Sequence, residues 1–213
     1  MTRHAMQAKA EFSSTNPAVI AALKTIVQSG WQYLSPARCL ELRGSNREVV
    51  LRPVLEQLLK SRRFEYNNQL YPLSDNGISQ IINKLSSSVI NHGLMTANQR
   101  LYDDLCLGIT VTELMPDGKK HLPTITIIDW QSVDNNQFQV TDNLKVANTS
   151  ATGSRQSDIV GYVNGLPLVV IEAKKPAVDD NIWQMIHHQS AAEIPLLFAY
   201  SQLLLAISAT EGR

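Results

Sequence analysis

The sequence predicts an α/β domain that is helical over its first part and built on a β-sheet over its second. Three observations carry that prediction. Apolar residues recur at helical spacing through residues 17–107, and β-branched residues cluster between closely spaced turn signals from Gly108 onward. No internal repeat, low-complexity tract or charge block divides the chain, which favours one folded unit. At 213 residues and 44% hydrophobic content, a buried core is available. The expected organisation is a flexible polar segment over 1–16 and a single domain over 17–213. Within that domain a helical portion occupies about 17–107 and a sheet core about 108–213.

Ala18 to Trp31 presents Ile20, Leu23, Val27 and Trp31 at helical spacing, with Gly30 as a stop signal. Ser45 and Glu48 have the spacing of a capping box ahead of the apolar run Val49 to Leu59, where Pro53 belongs in the first turn or kinks the helix. Ile78 to Leu85 and Thr96 to Leu107 give two further helical patterns, with Ser74 or Asp75 and Thr96 as N-caps. Ile109 to Leu114 and Thr124 to Trp130 then read as strands around the turn Pro116-Asp117-Gly118. Phe138 to Val146 is a third strand. Asp158 to Val163 and Leu166 to Lys174 form a hairpin across Asn164-Gly165, a dipeptide suited to the left-handed conformations of a tight turn. Asp179 to Ala192 has helical pattern and an acidic start, and Leu203 to Ser208 reads as a buried strand.

Composition narrows the functional classes. Lys+Arg and Asp+Glu both number 19, so the chain lacks the net positive field of a stand-alone DNA binder, and a nucleic-acid role requires a local patch or a partner. Its apolar runs fall far short of the roughly 20 residues of a membrane helix. Met1 to Asn16 has no apolar signal-peptide core, so a cytoplasmic location is expected. Cys39 and Cys106 are expected to be core thiols, and Trp31, Trp130 and Trp183 core or partly buried aromatics. Gly118-Lys119 is no Walker motif, because Glu113 and Lys120 replace its first Gly and its hydroxyl residue. His187 and His188 point in different directions on a helix and have no i+4 ligand partner, so they are read as surface or substrate-facing residues.

Asp158, Glu172 and Lys174 are the candidate chemical group. Leu168 to Ile171 is fully apolar, yet the strand ends in a carboxylate and an ammonium, which are costly there unless paired or used in a site. Glu172 and Lys174, two apart on a strand, share a face. The hairpin imposes a geometric condition. A strict two-residue loop sets Asp158 against Ile171, leaving the acids on opposite faces. A three-residue loop or one bulge sets Asp158 across from Glu172, about 5 Å between Cβ atoms. Two carboxylates that close call for a cation, and Mg2+ binds one or two carboxylates while keeping waters for phosphate chemistry. From spacing alone a solvated ion pair at the strand end remains the plainer alternative.

The surrounding residues resemble the N-terminal nuclease domain of type I restriction endonuclease R (HsdR) subunits. The resemblance is carried by Ile128-Asp129-Trp130, by Asn136 to Val140, by the block from Ser157 to Pro176 (SDIVGYVNGLPLVVIEAKKP), and by Glu193 to Leu205. It runs colinearly from about Ser45 to Ile207. It implies a PD-(D/E)xK restriction-endonuclease-like core, a mixed central β-sheet flanked by helices, with Asp158, Glu172 and Lys174 on the three signature positions. Ser157 replaces the frequent Pro, a change read as conformational only. Gln184 matches the Gln of the Gln-x-x-x-Tyr element, whereas His188 stands where Tyr belongs. Glu48, or Glu41 in its place, is a candidate for a further acid near the metal.

The resemblance further implies Mg2+-dependent hydrolysis of DNA phosphodiesters. Asp158, Glu172 and the Ala173 carbonyl are the metal ligands, and Lys174 and Gln184 assist catalysis. R subunits continue into ATP-driven motor domains that this chain does not contain, so ATP is expected only through them. The implied partners are double-stranded DNA and the methyltransferase and specificity subunits of a restriction complex. A non-catalytic docking domain of the same assembly is the alternative.

Overall fold

The computed structural model describes residues 11–87, 93–148, 153–173 and 193–207. A five-stranded sheet organises them. Its strands are β1 (Gln32–Tyr33), β8 (Phe138–Ala147), β9 (Ser154–Val163), β10 (Leu166–Ala173) and β11 (Leu203–Ile207), side by side in that order. The inner pairs β8–β9 and β9–β10 are antiparallel, while β1 joins β8 and β11 joins β10 in parallel. The sheet is therefore mixed, as expected. Three two-stranded ribbons surround it: β2 (Arg63–Tyr66) with β3 (Gln69–Pro72), β4 (Ile109–Thr110) with β7 (Thr124–Ile125), and β5 (Glu113–Leu114) with β6 (Lys120–His121).

Helices cover both faces. α1 (Pro17–Gln28) places Val19 and Leu23 on Val140, Ile159 and Ile171. The larger core lies on the other face, under α2 (Pro36–Arg43), α3 (Arg52–Ser61), α4 (Asp75–Ser87), α5 (Leu94–Leu107) and α6 (Pro195–Tyr200). Cys39, Leu55, Ile81 and Leu197 there meet Val160, Tyr162 and Val170 of the sheet. Among the described residues no helix is long and apolar enough to cross a membrane.

Several local expectations change. The buried stripe of α1 runs through Val19 and Leu23, and Ile20 and Val27 are only half-buried, because Trp31 lies beyond the helix end and packs on Phe138 at 5.2 Å between ring centroids. The Ser45–Glu48 capping box does not form. Ser45 instead accepts from the Arg47 amide in a turn, and α3 begins only at Arg52, with Pro53 in its first turn where the absent N–H costs nothing. Thr96 is no cap, since α5 starts at Leu94 after Gly93; Ser74, by contrast, caps α4 by accepting from Gly77 N–H at 3.0 Å. The helical portion also contains α2, β1 and the β2–β3 hairpin, which the helical periodicity concealed. The strand expected over Thr124 to Trp130 stops at Ile125.

Cys39 is buried, and its thiol is pushed up by that burial, but Cys106 is exposed, because α5 turns Ala97, Leu101 and Leu105 inward. Trp130 is 61% exposed, held to the surface by its indole N–H donating to the Leu105 carbonyl at 3.0 Å. β11 is an edge strand with Leu203 exposed and only Ala206 buried, not the buried strand its apolar run suggests. The segment ahead of α1 is tied to the sheet: Ser14 N–H donates to Asp142 at 2.6 Å, and Phe12 packs edge-on against Tyr33. The helix expected over Asp179 to Ala192, together with Trp183, lies outside the described residues.

Candidate active site

The Asn164-Gly165 turn is built into the core. Asn164 adopts φ 55° and Gly165 φ 84°, the paired left-handed conformation of a two-residue hairpin. The Asn164 side chain is buried, accepting from the Gln137 amide at 2.8 Å and donating to the Ile127 carbonyl at 2.9 Å and Asn136 Oδ1 at 2.8 Å. Asn136 in turn holds the Asp129 backbone, and the Asp129 carboxylate collects Gln131 N–H, Ser132 N–H and the Asn135 amide, bonds that lower its pKa. Asp129 and Asn136, both within the stretches that carry the sequence resemblance, thus form the seat of the hairpin.

From that turn the two arms pair in strict register through Leu166↔Val163 and Pro167↔Tyr162, and then shift by one, to Val169↔Gly161, Val170↔Val160 and Ile171↔Ile159. Leu168 is the extra residue. Pro167 has no N–H to give the ladder, which is why the irregularity falls there. The Leu168 carbonyl is taken instead by Gln202 N–H at 2.8 Å, from the residue leading into β11. One step further along the shifted register, Asp158 stands across from Glu172. The geometric condition posed by the sequence is met by a bulge, with the turn itself kept at two residues.

The two acids replace the ladder at their own position. Asp158 Oδ2 accepts from Ala173 N–H at 2.7 Å, and the Ser157 side chain and the Asp158 backbone N–H face the Glu172 carboxylate and favour its ionised form. Burial pushes the Glu172 carboxyl up to about 7, and the negative charge of Asp158 pushes in the same direction; Ser157, the Asp158 N–H and the positive charge of Arg155 oppose it. Ser157 is buried and does more than punctuate the chain, because a proline there would offer no hydroxyl to Glu172. Nothing in the sequence signalled that contact. On the neighbouring strand Asn143, at φ 51°, lies between the pairs Asp142↔Ile159 and Leu144↔Ser157, beside Asp158, and its Oδ1 accepts from Gln156 at 2.8 Å.

The remaining candidates separate. Lys174, Gln184, His187 and His188 lie outside the described residues. Glu41 is an exposed member of an ion pair with Arg38 at 2.6 Å. Glu48 is exposed in the loop between α2 and α3, where its backbone carbonyl accepts from the buried Arg43 at 2.7 Å. Among the described residues no three His, Cys, Asp or Glu side chains cluster as a metal site. The Asp158–Glu172 pair supplies two oxygen ligands, which suits a hard cation that retains waters. Burial, and after it the charge of Asp158, raises Glu172, and a bound cation would favour its ionised form.

The model of one family, "Type I restriction enzyme R protein N terminus (HSDR_N)", matches residues 16–213. The chain belongs to this family. Among curated relatives, the type I restriction enzyme HindI endonuclease subunit of Haemophilus influenzae is 29% identical over 191 residues, covering 86% of this chain and 17% of the relative. The putative type I restriction enzyme MjaIXP endonuclease subunit of Methanocaldococcus jannaschii is 23% identical over 161 residues, 74% of this chain and 15% of the relative. This HSDR_N domain thus spans under a fifth of the length of these relatives. The match contains the whole hairpin from Ser154 to Ala173 and its seat, so the bulged acid pair lies within the region that defines the family.

Proposed function

We propose that this HSDR_N chain is the metal-dependent endonuclease domain of a type I restriction R subunit, cutting DNA phosphodiesters at Asp158 and Glu172. The observation that carries the reading is the bulge at Leu168, which brings two carboxylates together where an unbulged hairpin would hold them on opposite faces. Asp158 and Glu172 would hold Mg2+, with the Ala173 carbonyl as a further ligand. Bound there, the ion supplies charge neutralisation at the phosphate and acidifies its own water.

The chain's residues account for the rest. Asp158 is oriented by Ala173 N–H, and Glu172 by Ser157 and the Asp158 N–H, so both acids are preorganised. Lys174 would orient or deprotonate the attacking water and offset developing charge, and Gln184 would donate to a phosphate oxygen. In the assembled enzyme, double-stranded DNA would be delivered by an ATP-driven motor and selected by methyltransferase and specificity subunits in the cytoplasm. The deciding experiment is Mg2+-dependent nicking or cleavage of plasmid DNA by the chain, with Asp158→Ala as control. Cleavage that survives Asp158→Ala would exclude this site. A folded chain that binds Mg2+ nowhere near the acid pair and never cuts, alone or assembled, would leave the docking role.

A further inference from the structure

Arg155 enters β9 three residues ahead of Asp158, and its Nη1 meets Glu193 Oε2 at 2.9 Å. The two side chains are 27% and 44% exposed, and a pair so placed contributes little to stability. Stability is therefore a poor account of it. Glu193 occupies one nitrogen of the guanidinium, while Nε and Nη2 make no hydrogen bond to any described residue. Glu193 is itself well anchored, since the next residue, Ile194, is buried in the main core ahead of α6. The positive charge of Arg155 reaches Glu172 and favours its ionised form. A planar guanidinium fixed by one corner, with Nε and Nη2 unbonded to any described residue and its charge reaching Glu172, has the form of a phosphate receptor. The electrostatics call for one. The chain has no net charge, so a phosphodiester approaching two acids needs a local cation.

We propose that Arg155, held in place by Glu193, contacts a backbone phosphate of the DNA bound at the Asp158–Glu172 pair. This rests on the nuclease reading above, and it makes Glu193 a positioning residue. The test is fluorescence anisotropy of a short labelled DNA duplex titrated with the chain, without divalent metal, over a series of salt concentrations. Arg155→Ala is expected to weaken binding about tenfold and to reduce the slope of log affinity against log salt by about one. Arg155→Lys keeps the slope with weaker binding, having the charge without the fork. Glu193→Gln keeps the slope and costs less than Arg155→Ala.

A slope unchanged in Arg155→Ala overturns the inference. So does a Lys variant that loses the slope like Ala, which would expose a structural role, and so does a chain that binds no duplex at low salt. Plasmid cleavage by Asp158→Ala separates the two readings. Lost cleavage with an unchanged Arg155 slope removes only the phosphate contact, whereas retained cleavage with an altered slope leaves Arg155 a DNA contact and removes the acid pair as the place of cutting.

Discussion

The β2–β3 and β9–β10 hairpins turn on the same backbone geometry and end in different roles. Asn67 and Asn68 take φ 49° and 61°, and Asn164 and Gly165 take 55° and 84°, so each chain reverses through two left-handed residues. β2–β3 then pairs without interruption from Tyr66↔Gln69 to Arg63↔Pro72, on the surface, with Leu70 exposed. β9–β10 is buried from its turn onward and slips by one residue at Leu168. The turn type fixes where a hairpin begins. Whether its arms stay in register depends on the residues next to the turn, and Pro167 in the second position of β10 cannot supply a ladder hydrogen bond. One irregular residue therefore separates a surface ribbon from a strand pair that confronts two acids.

The two hairpins should differ most when an acid is removed from the bulged one. Asp158→Ala and Glu172→Ala are each expected to reduce DNA cleavage by the assembled enzyme on the order of 10³-fold, the equivalent of several kcal/mol of lost charge stabilisation at the phosphate. Both variants should keep their circular dichroism spectrum, because each removes one of two repelling carboxylates. In the regular hairpin Glu65→Ala, on an exposed side chain, should leave cleavage at the wild-type rate.

Exchanging the turn residues asks how far the two reversals are equivalent. Gly165→Asn retains a residue type that tolerates positive φ, yet a Cβ there would lie 2.7 Å from the Leu51 carbonyl oxygen and 3.1 Å from Leu55 N. That backbone cannot yield easily, since Leu51 N–H donates to the Gly165 carbonyl at 2.8 Å as α3 begins. Chemical denaturation should show a loss of about 1–3 kcal/mol. An unchanged midpoint would mean that the turn does not pack on α3.

These same contacts explain what the sequence could and could not disclose. Asn164-Gly165 was legible because the turn needs those residue types locally, and so were β8, β9, β10 and β11 through their apolar runs, whereas the two-residue β1 was not. Asn67-Asn68 has the same local chemistry but lies between short strands that lack clear alternation, and it passed unnoticed. The need for an extra residue in the acid hairpin followed from register alone, although its place at Leu168 was missed despite the signal of Pro167. The capping box failed to a local turn: Ser45 accepts from the Arg47 amide two residues on and leaves α3 without a side-chain cap. Ser157 and Arg155 could not have been found from sequence, because their roles depend on the distant residues Glu172 and Glu193 coming alongside β9.

The acid pair also makes the bulged hairpin sensitive to pH. With its carboxyl raised to about 7 from an ordinary 4.5, Glu172 holds its proton in the folded chain after the unfolded chain has released one. Metal-free stability from this group is therefore complete below about pH 4.5, declines as pH rises, and is lost above about 7. Glu172→Gln removes the ionisation. Urea denaturation in EDTA should find the variant more stable than the parent by about 1–2 kcal/mol at pH 8, with no gain at pH 4, the pair being only partly shielded from solvent. Adding Mg2+ at pH 8 should raise the parent's stability and leave the variant's nearly unchanged. A parent whose stability rises between pH 5 and 8 relative to Glu172→Gln would contradict the crowding of the two acids.

The smallest expected effect is the reverse exchange, Asn68→Gly, in the regular hairpin. Asn68 is exposed at φ 61°, so glycine there relieves a left-handed asparagine at the position where a two-residue turn most favours glycine. Against that relief stands the greater freedom glycine gives the unfolded chain, and the two terms nearly cancel. The melting midpoint should correspond to a change within about 0.5 kcal/mol of zero, against the larger loss at Gly165. Since the substitutions interchange the same two residue types at the same turn position, the difference between them isolates the packing of the acid hairpin's turn against Leu51. Equal responses at the two sites would show that local turn propensity, and not that contact, sets the cost.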